Sequence, residues 1–243
     1  MFGNNPPRKQ ELEHDGQSLW VQEIFYTLQG EGPFAGHPAV FVRLCGCNLT
    51  CYFCDTDFES SDWRPNLNEI AETMTEVTKG KPPCKLVVIT GGEPFRQNIA
   101  PLVERLLAGG HVVQIESNGT LFVDLPWGNK DLHVIVSPKT GQLDARLVPH
   151  ISALKYVLKA GEIDDRDGLP RGVARVNAKT MTDVSERGPE GRLENHDFLP
   201  IYVMPMDEQN GERNDVNRAA CRDAALKFGY RLTLQMHKLI DVR

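Results

Sequence analysis

The stretch RLCGCNLTCYFCDT, residues 43–56, holds four of the six cysteines of the chain. Cys47, Cys51 and Cys54 stand in the spacing C-x3-C-x2-C, and Cys45 lies two residues before them. The stretch follows the apolar run 39–44, which predicts a strand. Parallel α/β folds place their active sites at the C-terminal ends of strands. The three spaced thiols are therefore predicted to lie in such a site, whereas Cys45 is expected to point into the core.

The spacing leaves three states of these thiols open: an iron-sulfur cluster, a zinc site, or no ligand. Zinc sites commonly use two separated C-x2-C pairs, and a second pair is missing, so zinc would recruit Cys45 or a distant His. A four-iron cluster held by three thiolates of one loop would leave one iron open for chemistry. The spacing favours the cluster. Cys84 and Cys221 stand alone and are predicted to be core residues.

Length and charge narrow the class of protein. A chain of 243 residues can bury a core without disulfides. Residues 1–15 are polar, and no run approaches the roughly 18 apolar residues of a membrane span, so we expect no membrane association and a cytoplasmic location. A formal net charge of -6 gives no field that attracts a polyanion. We therefore expect a small-molecule substrate and no nucleic-acid partner.

Apolar runs that alternate with helical patterns predict an α/β protein with a mainly parallel sheet. The predicted strands are residues 39–44, 85–90, 111–116, 133–137, 153–158, 199–204 and 230–236. The predicted helices include residues 67–77, 99–107 and 216–228. Six or seven such units favour a partial barrel or a doubly wound sheet, and they are too few for a closed eight-stranded barrel. We expect a single domain over residues 1–243, with a polar N-terminal extension at 1–18 and a surface insertion at 161–197.

A second motif narrows the superfamily. Thr90-Gly91-Gly92-Glu93-Pro94 follows the cysteine loop by one β-α unit, and the two motifs together resemble the radical S-adenosylmethionine (SAM) superfamily. The resemblance implies an incomplete TIM-type barrel with a mainly parallel sheet of about six strands and few flanking helices. It also implies a 4Fe-4S cluster whose open iron chelates SAM, with the GGE motif taking the SAM amino group. Paired glycines allow close backbone approach, although a tight turn after a strand would explain them too.

Further motifs resemble the 7-carboxy-7-deazaguanine synthase family. They are residues 23–32 (EIFYTLQGEG), 54–56 (CDT), 116–119 (ESNG), 137–139 (SPK), 154–156 (LKY), 205–207 (PMD) and 235–238 (QMHK). The resemblance implies a carbon-nitrogen lyase of queuosine biosynthesis that converts 6-carboxy-5,6,7,8-tetrahydropterin to 7-carboxy-7-deazaguanine with loss of ammonia. A SAM-derived radical would take hydrogen from pterin C6 and later return it, so that SAM is a catalytic cofactor. The family also implies magnesium, a homodimer and an electron donor such as flavodoxin or ferredoxin.

The resemblance assigns a substrate site. Its residues are Leu28, Gln29, Gly30, Glu31, Arg43, Thr90, His237 and Arg243. Arg43 suits the substrate carboxylate through its bidentate fork. Gln29 and Glu31 can read the guanidine-like edge of the pterin. No side chain is assigned as certainly catalytic, and Arg43 and His237 are expected to support the reaction.

The resemblance also assigns the cofactor sites. Cys47, Cys51 and Cys54 would bind the cluster, and Thr56 would bind magnesium, which prefers hard oxygen donors. The SAM site would comprise Phe53, Cys54, Asp55, Gly92, Glu93, Glu116, Ser137, Pro138, Lys139, Met204, Pro205, Met206 and Asp207. Met204 and Met236 depart from the residues that the family usually has at these positions.

Two other functions were weighed against this one. An activase that makes a glycyl radical on a partner protein also combines a small chain with C-x3-C-x2-C, but residues 29–32 and 137–139 argue against it. A zinc-bound structural or RNA-associated module predicts zinc without iron. The acidic charge and the GGEP motif argue against that module.

Overall fold

A sheet of eight strands organises the part of the chain that the computed structural model describes, residues 5–175 and 199–242. The strands are β1 (Val21–Leu28), β2 (Pro38–Leu44), β3 (Leu86–Gly91), β4 (Val112–Ser117), β5 (Leu132–Val136), β6 (Ala153–Leu158), β7 (Ile201–Pro205) and β8 (Arg231–Leu232). They lie in chain order from β1 to β8. β1 is antiparallel to β2, and every later pair is parallel. This uninterrupted order is that of a barrel that does not close, and it excludes a doubly wound sheet, whose strand order reverses.

The partial barrel is confirmed, but the prediction of about six strands is too low. β1 was missing from the predicted strands because its burial pattern is irregular, with a register shift between Val21 and Glu23 that breaks the two-residue alternation. The predicted strand at 230–236 shortens to Arg231–Leu232, both exposed at the edge of the sheet. A short helix follows it.

Four α-helices lie within the described residues: α1 (Leu67–Val77), α2 (Ala100–Ala108), α3 (Gly211–Phe228) and α4 (Met236–Leu239). Asn66 begins α1 with a capping box, in which its side chain accepts from the Asn68 and Glu69 amides. Asn210 caps α3 with its side chain alone, which accepts from the Arg213 amide at 3.0 Å, so this helix begins five residues before the predicted 216. The buried faces of α1, α2 and α3 contribute to the main core.

The single cysteines pack largely as predicted. Cys45 and Cys221 are fully buried. Cys84 is only half-buried, since it lies at the edge of the core and its thiol donates to the Pro38 carbonyl at 3.2 Å.

The N-terminal extension is attached to the fold. The Arg8 amide donates to the Cys47 carbonyl at 2.7 Å, and the Glu11 amide donates to the Arg96 carbonyl at 2.7 Å. The Glu11 carboxylate also pairs with the buried Arg96 guanidinium at 2.9 Å. Residues 8–11 therefore bind both to the cysteine loop and to the segment after β3.

The predicted insertion begins later than residue 161. Leu169 is fully buried, and the Tyr156 hydroxyl donates to the Ala174 carbonyl at 2.8 Å, so residues 161–175 pack on the body of the protein. Residues 176–197 of the predicted insertion lie outside the described residues.

Within the described part of the chain, no helix is long and apolar enough to span a bilayer.

The loop after β1 crosses the gap that the open sheet leaves. The Gly32 amide donates to the Thr233 hydroxyl at 2.9 Å, and the Met236 amide donates to the Gly30 carbonyl at 3.3 Å. This loop brings Gln29 and Glu31 over to the last strands.

Candidate active site

A cavity of about 640 Å³ collects most of the predicted site residues. From the substrate assignment it is lined by Leu28, Gln29, Glu31, Arg43, Thr90 and His237. From the cofactor and metal assignments it is lined by Cys47, Cys51, Phe53, Cys54, Asp55, Thr56, Gly92, Glu116, Ser137, Lys139, Met204, Pro205, Met206 and Asp207. Gly30, Glu93 and Pro138 do not line it, and Arg243 lies outside the described residues.

The cysteine loop presents its three spaced thiols to this cavity. The Cys54 amide donates to the Cys51 carbonyl at 3.0 Å, and the Leu49 amide donates to Cys47 Sγ at 3.4 Å. Burial raises the pKa of the Cys47 thiol to about 12. Such a thiol becomes a thiolate only beside a strong positive charge, and iron supplies that charge.

The three thiols of this loop suit a 4Fe-4S cluster chemically. A cluster binds each cysteine through a different iron, and three thiolates leave one iron open. Among residues 5–175 and 199–242, no group of three or more His, Cys, Asp or Glu side chains is placed to hold a single metal ion.

The glycine pair allows the cysteine loop to pack against the end of β3. A Cβ atom on Gly92 would overlap the Gly46 carbonyl, and Gly91, with φ of 139°, has no room for one beside Leu44. The pair therefore serves contact between two backbone segments. Gly92 also lines the cavity, where the resemblance places SAM.

Glu93 takes a different place from the one expected for a side chain that binds the SAM amino group. It is fully buried, and its oxygens accept from the Ser117 hydroxyl at 2.8 Å, the Asn118 amide at 2.7 Å and the Phe95 amide at 3.1 Å. Burial raises its pKa to about 7. With three internal donors and no surface on the cavity, the carboxylate fixes the turns after β3 and β4.

One end of the cavity is a network of buried charges. The Lys155 ammonium pairs with Glu31 and, at 3.0 Å, with Glu116. The Gln29 side-chain amide donates to the Glu116 carboxylate at 3.0 Å and accepts from the Glu31 backbone amide at 3.1 Å. Lys155 was missing from the predicted site, although a lysine inside the apolar run 153–158 is a signal that could have identified it.

Arg43 lies at the same end of the cavity, and two side chains hold its guanidinium in place. Its Nε donates to Glu23 at 2.9 Å, and its guanidinium lies 5.7 Å from the centre of the Phe25 ring. Both contacts fix the plane of the guanidinium. Glu23 was not among the predicted site residues.

The region assigned to SAM contains a buried lysine. The Lys139 ammonium donates to the Ser137 hydroxyl and lies 5.7 Å from the centre of the Phe53 ring. Burial lowers the pKa of Lys139 to about 8. The ammonium loses its proton more easily than a free lysine does, and a carboxylate would stabilise its charged form.

Lys238, which also lines the cavity, connects the cysteine loop to the C-terminal segment. Its ammonium donates to Asp55 at 2.6 Å and to Asp207 at 2.7 Å. Hydrogen bonding to Lys238 lowers the pKa of Asp207 to about 2. His237 beside it lines the cavity, and burial lowers its pKa, so the ring is neutral at pH 7. Lys238 was not predicted as a site residue.

Comparisons with known proteins agree with this geometry. The radical SAM superfamily profile matches residues 42–142. The 7-carboxy-7-deazaguanine synthase of Rhodospirillum rubrum is 49% identical to this chain over 248 residues, and the alignment covers 100% of both chains. The protein of the same name from Rickettsia prowazekii is 38% identical over 250 residues, covering 100% of this chain and 96% of that one.

The fold has a solved counterpart. The crystal structure of QueE from Escherichia coli matches with a TM-score of 0.62, over 89% of this chain and 93% of that chain. At 23% sequence identity this likeness shows the fold alone.

Proposed function

Because this chain belongs to the 7-carboxy-7-deazaguanine synthase family of the radical SAM superfamily, we propose that its cavity converts 6-carboxy-5,6,7,8-tetrahydropterin to 7-carboxy-7-deazaguanine with loss of ammonia. Identities of 49% and 38% over the whole chain confirm the family predicted from the motifs. The chain is accordingly a radical SAM lyase of the queuosine pathway that uses a 4Fe-4S cluster and SAM.

The observation that carries this function is a single cavity with two chemically different ends. Cys47, Cys51 and Cys54 face it from one loop, and Glu31 and Arg43 face it from the β1–β2 side. The first end suits the cluster. The second offers a carboxylate and a guanidinium, which suit the amidine edge and the carboxylate of a carboxypterin.

Cys47, Cys51 and Cys54 would hold the cluster, and Gly92, Ser137 and Lys139, which line the same cavity, would contact SAM. When bound, the cluster and SAM supply a radical that removes hydrogen from pterin C6. Lys139 attracts the methionine carboxylate, and its own charged form is stabilised by that contact.

Arg43 and Glu31 orient the substrate. The Arg43 guanidinium binds the substrate carboxylate, and Glu23 and Phe25 hold it at the right angle. Glu31 and Gln29 accept and donate along the pterin edge, which fixes the ring in the cavity. His237 contributes a neutral ring to the same wall.

Thr56 is proposed to bind magnesium. Its hydroxyl lines the cavity two residues after Cys54, and it lies 3.4 Å from the Asp55 carboxylate. A single protein oxygen is sufficient for magnesium if the substrate and water supply the other ligands.

We also propose that the chain acts as one domain, in the cytoplasm, as a homodimer that receives electrons from a flavodoxin or ferredoxin. The free thiols support the cytoplasm as the location, because thiols and an iron-sulfur cluster persist in a reducing compartment. The dimer and the electron donor rest on the family resemblance.

Anaerobic turnover tests the proposed function. Reduced, cluster-loaded protein is incubated with SAM, magnesium and carboxytetrahydropterin, and 7-carboxy-7-deazaguanine is the expected product. Cys51→Ala should abolish both iron binding and turnover, whereas the control Cys84→Ala, away from the cavity, should retain both. SAM cleavage without a deazapurine would contradict the substrate, and bound zinc without iron would contradict the superfamily chemistry.

Thr56→Ala tests the magnesium site in the same assay. Turnover should fall by about 10-fold or more, while SAM affinity stays within about 2-fold of the wild-type value, because the hydroxyl acts on metal and substrate. Thr50→Ala, in the same loop but outside the cavity, is the control. An equal loss of turnover and SAM affinity in Thr56→Ala would count against the role.

A further inference from the structure

Lys155 is a buried ammonium between carboxylates from two distant parts of the chain. It lies on β6 with 5% of its surface exposed. Glu31 reaches it from the loop after β1, and Glu116 reaches it from β4. Both carboxylates line the cavity, and so does Lys155 itself.

The charges of this cluster do not cancel. Two carboxylates and one ammonium leave one net negative charge on the substrate end of the cavity. Burial would raise the pKa of Glu116, but the charge and hydrogen bond of Lys155, the Gln29 hydrogen bond and the Arg43 charge together outweigh burial and hold that pKa below its usual value. Burial would also lower the pKa of Lys155, but the two carboxylates outweigh it and raise the pKa.

Other charged groups face the cluster from neighbouring elements. Arg43 acts on Glu116 from β2, Lys139 lies beside Lys155 after β5, and His237 faces Glu31 from α4. None of these three replaces Lys155, because none is hydrogen-bonded to either carboxylate in the described part of the chain. Lys155 is therefore the group whose removal would leave Glu31 and Glu116 without the cation that is hydrogen-bonded to both.

We propose that Lys155 is a positioning residue that sets substrate specificity, because its ion pairs hold Glu31 and Glu116 together as hydrogen-bond acceptors and so make this end of the cavity accept only an N–H-rich ring edge. The inference rests on the proposed function, since it names how the same cavity selects its ligand. Lys155 acts through the carboxylates and not by reading the ring.

An ionised carboxylate can accept hydrogen bonds but cannot donate one. The 2-amino-4-oxo edge of a pterin presents adjacent N–H donors to Glu31. A 2,4-dioxo edge, as in a lumazine, places a carbonyl oxygen where the amino group was, and that oxygen faces the carboxylate. Two acceptor oxygens that face each other in a buried site cannot form a hydrogen bond. The cavity should therefore bind the pterin about 100-fold or more tightly than the lumazine.

Lys155→Met removes the charge but keeps a side chain of similar length. Two carboxylates that share a buried site cannot both stay ionised, so one takes up a proton near neutral pH. The protonated carboxyl can donate to a carbonyl. The variant should then distinguish pterin from lumazine at least about 10-fold less well than the wild type does.

The test measures dissociation constants by calorimetry. Cluster-loaded protein with SAM is titrated with 6-carboxypterin and with 6-carboxylumazine, between about pH 5.5 and 8.5. For the wild type, the ratio of the two constants should be about 100 and nearly constant with pH. For Lys155→Met, the ratio should be smaller and should change with pH as the carboxylate pair titrates. Lys159→Met, an exposed lysine of the next turn paired with Glu162, should behave as the wild type.

A double variant separates charge from packing. Lys155→Met with Glu116→Gln leaves Glu31 as the one carboxylate of the former ion-paired group, without a second negative charge beside it, and should restore at least half of the lost discrimination on a logarithmic scale. Lys155→Arg keeps the positive charge and should retain most of the discrimination. These two variants also carry the test if Lys155→Met alone does not fold.

The outcomes separate this inference from the proposed function. If wild-type protein binds neither ligand, the proposed substrate is wrong. If it prefers 6-carboxypterin but Lys155→Met shows an unchanged, pH-independent preference, the role of Lys155 is wrong. If the double variant folds but is no more selective than Lys155→Met, Lys155 acts through packing and the inference fails.

Discussion

Gly30 lies where the loop after β1 passes the ring of His237. A Cβ atom at Gly30 would stand 2.6 Å from His237 Nδ1 and 3.2 Å from its amide nitrogen. Gly30 does not line the cavity, so its assignment as a residue that binds substrate gives way to an indirect role. It provides the room in which the His237 ring stands against the cavity.

Gly30→Ala should therefore displace the His237 ring. We expect the dissociation constant for 6-carboxypterin to rise about 10-fold, while iron per chain stays at the wild-type level, because the clash is at the substrate end. Gly211→Ala is the matched control, since open space surrounds Gly211. Unchanged ligand affinity in Gly30→Ala would show that the ring does not contribute to binding.

Residue types and spacing predicted most members of the site, but they could not give the direction of side chains. The three cysteines were recognised because cluster ligation requires their spacing. Glu93 directly follows Gly91 and Gly92 in sequence, yet its side chain turns inward to donors at the end of β4. Lys155 and Lys238 were overlooked because their partners lie far away in the chain.

At the scale of elements, the end of β3 and the cysteine loop form one packed unit. Gly92 contacts Gly46 and Cys47 by backbone alone, and the Glu93 amide donates to the Gly46 carbonyl at 2.9 Å. The conformation of the cysteine loop thus depends on a strand more than 40 residues away, counted from Gly46 to Gly92.

Gly92→Ala should disturb this unit. Its methyl group would overlap the Gly46 carbonyl, and overpacking of this kind costs about 1–3 kcal/mol. We expect iron per chain to fall to less than about half of the wild-type value, because the loop can no longer present its thiols together. Gly141→Ala, whose nearest neighbour would be at 3.7 Å, should leave iron and stability unchanged. Full iron loading of Gly92→Ala would rule out this dependence.

The parallel strands were predictable because each is a short apolar run, and their parallel direction followed from the alternation with helices. The choice of a partial barrel over a doubly wound sheet came from the family resemblance. β1 escaped because its bulge disrupts the alternation, and β8 was overestimated because its pairing with β7 ends after the Thr233 amide bonds to Val203 and a helix begins at Met236. Helix ends were displaced by caps such as Asn210. These errors moved boundaries without changing the class of fold.

At the scale of the whole molecule, an open sheet is closed by loops. The segment after β1 crosses to Thr233 and Met236, and Lys238 ties the same C-terminal region to Asp55 of the cysteine loop. The ion-paired side chains of Glu31 and Lys155 therefore face the same cavity as the three cysteines that would bind the iron-sulfur cluster. The fold thereby places the proposed substrate residues and the three spaced cysteines around one cavity.

Turnover of substrate that carries deuterium at C6 tests this arrangement most directly. If Glu31 and Arg43 hold the pterin with C6 towards the cysteine loop, the SAM-derived radical takes the C6 deuterium, and a hydrogen returns to the rearranged substrate within the cavity. The carbon that carries the carboxylate in 7-carboxy-7-deazaguanine has no hydrogen, so the deuterium should accumulate in recovered SAM and not in the product, with several products formed for each SAM. Recovered SAM without deuterium, or consumption of one SAM for each product, would contradict it.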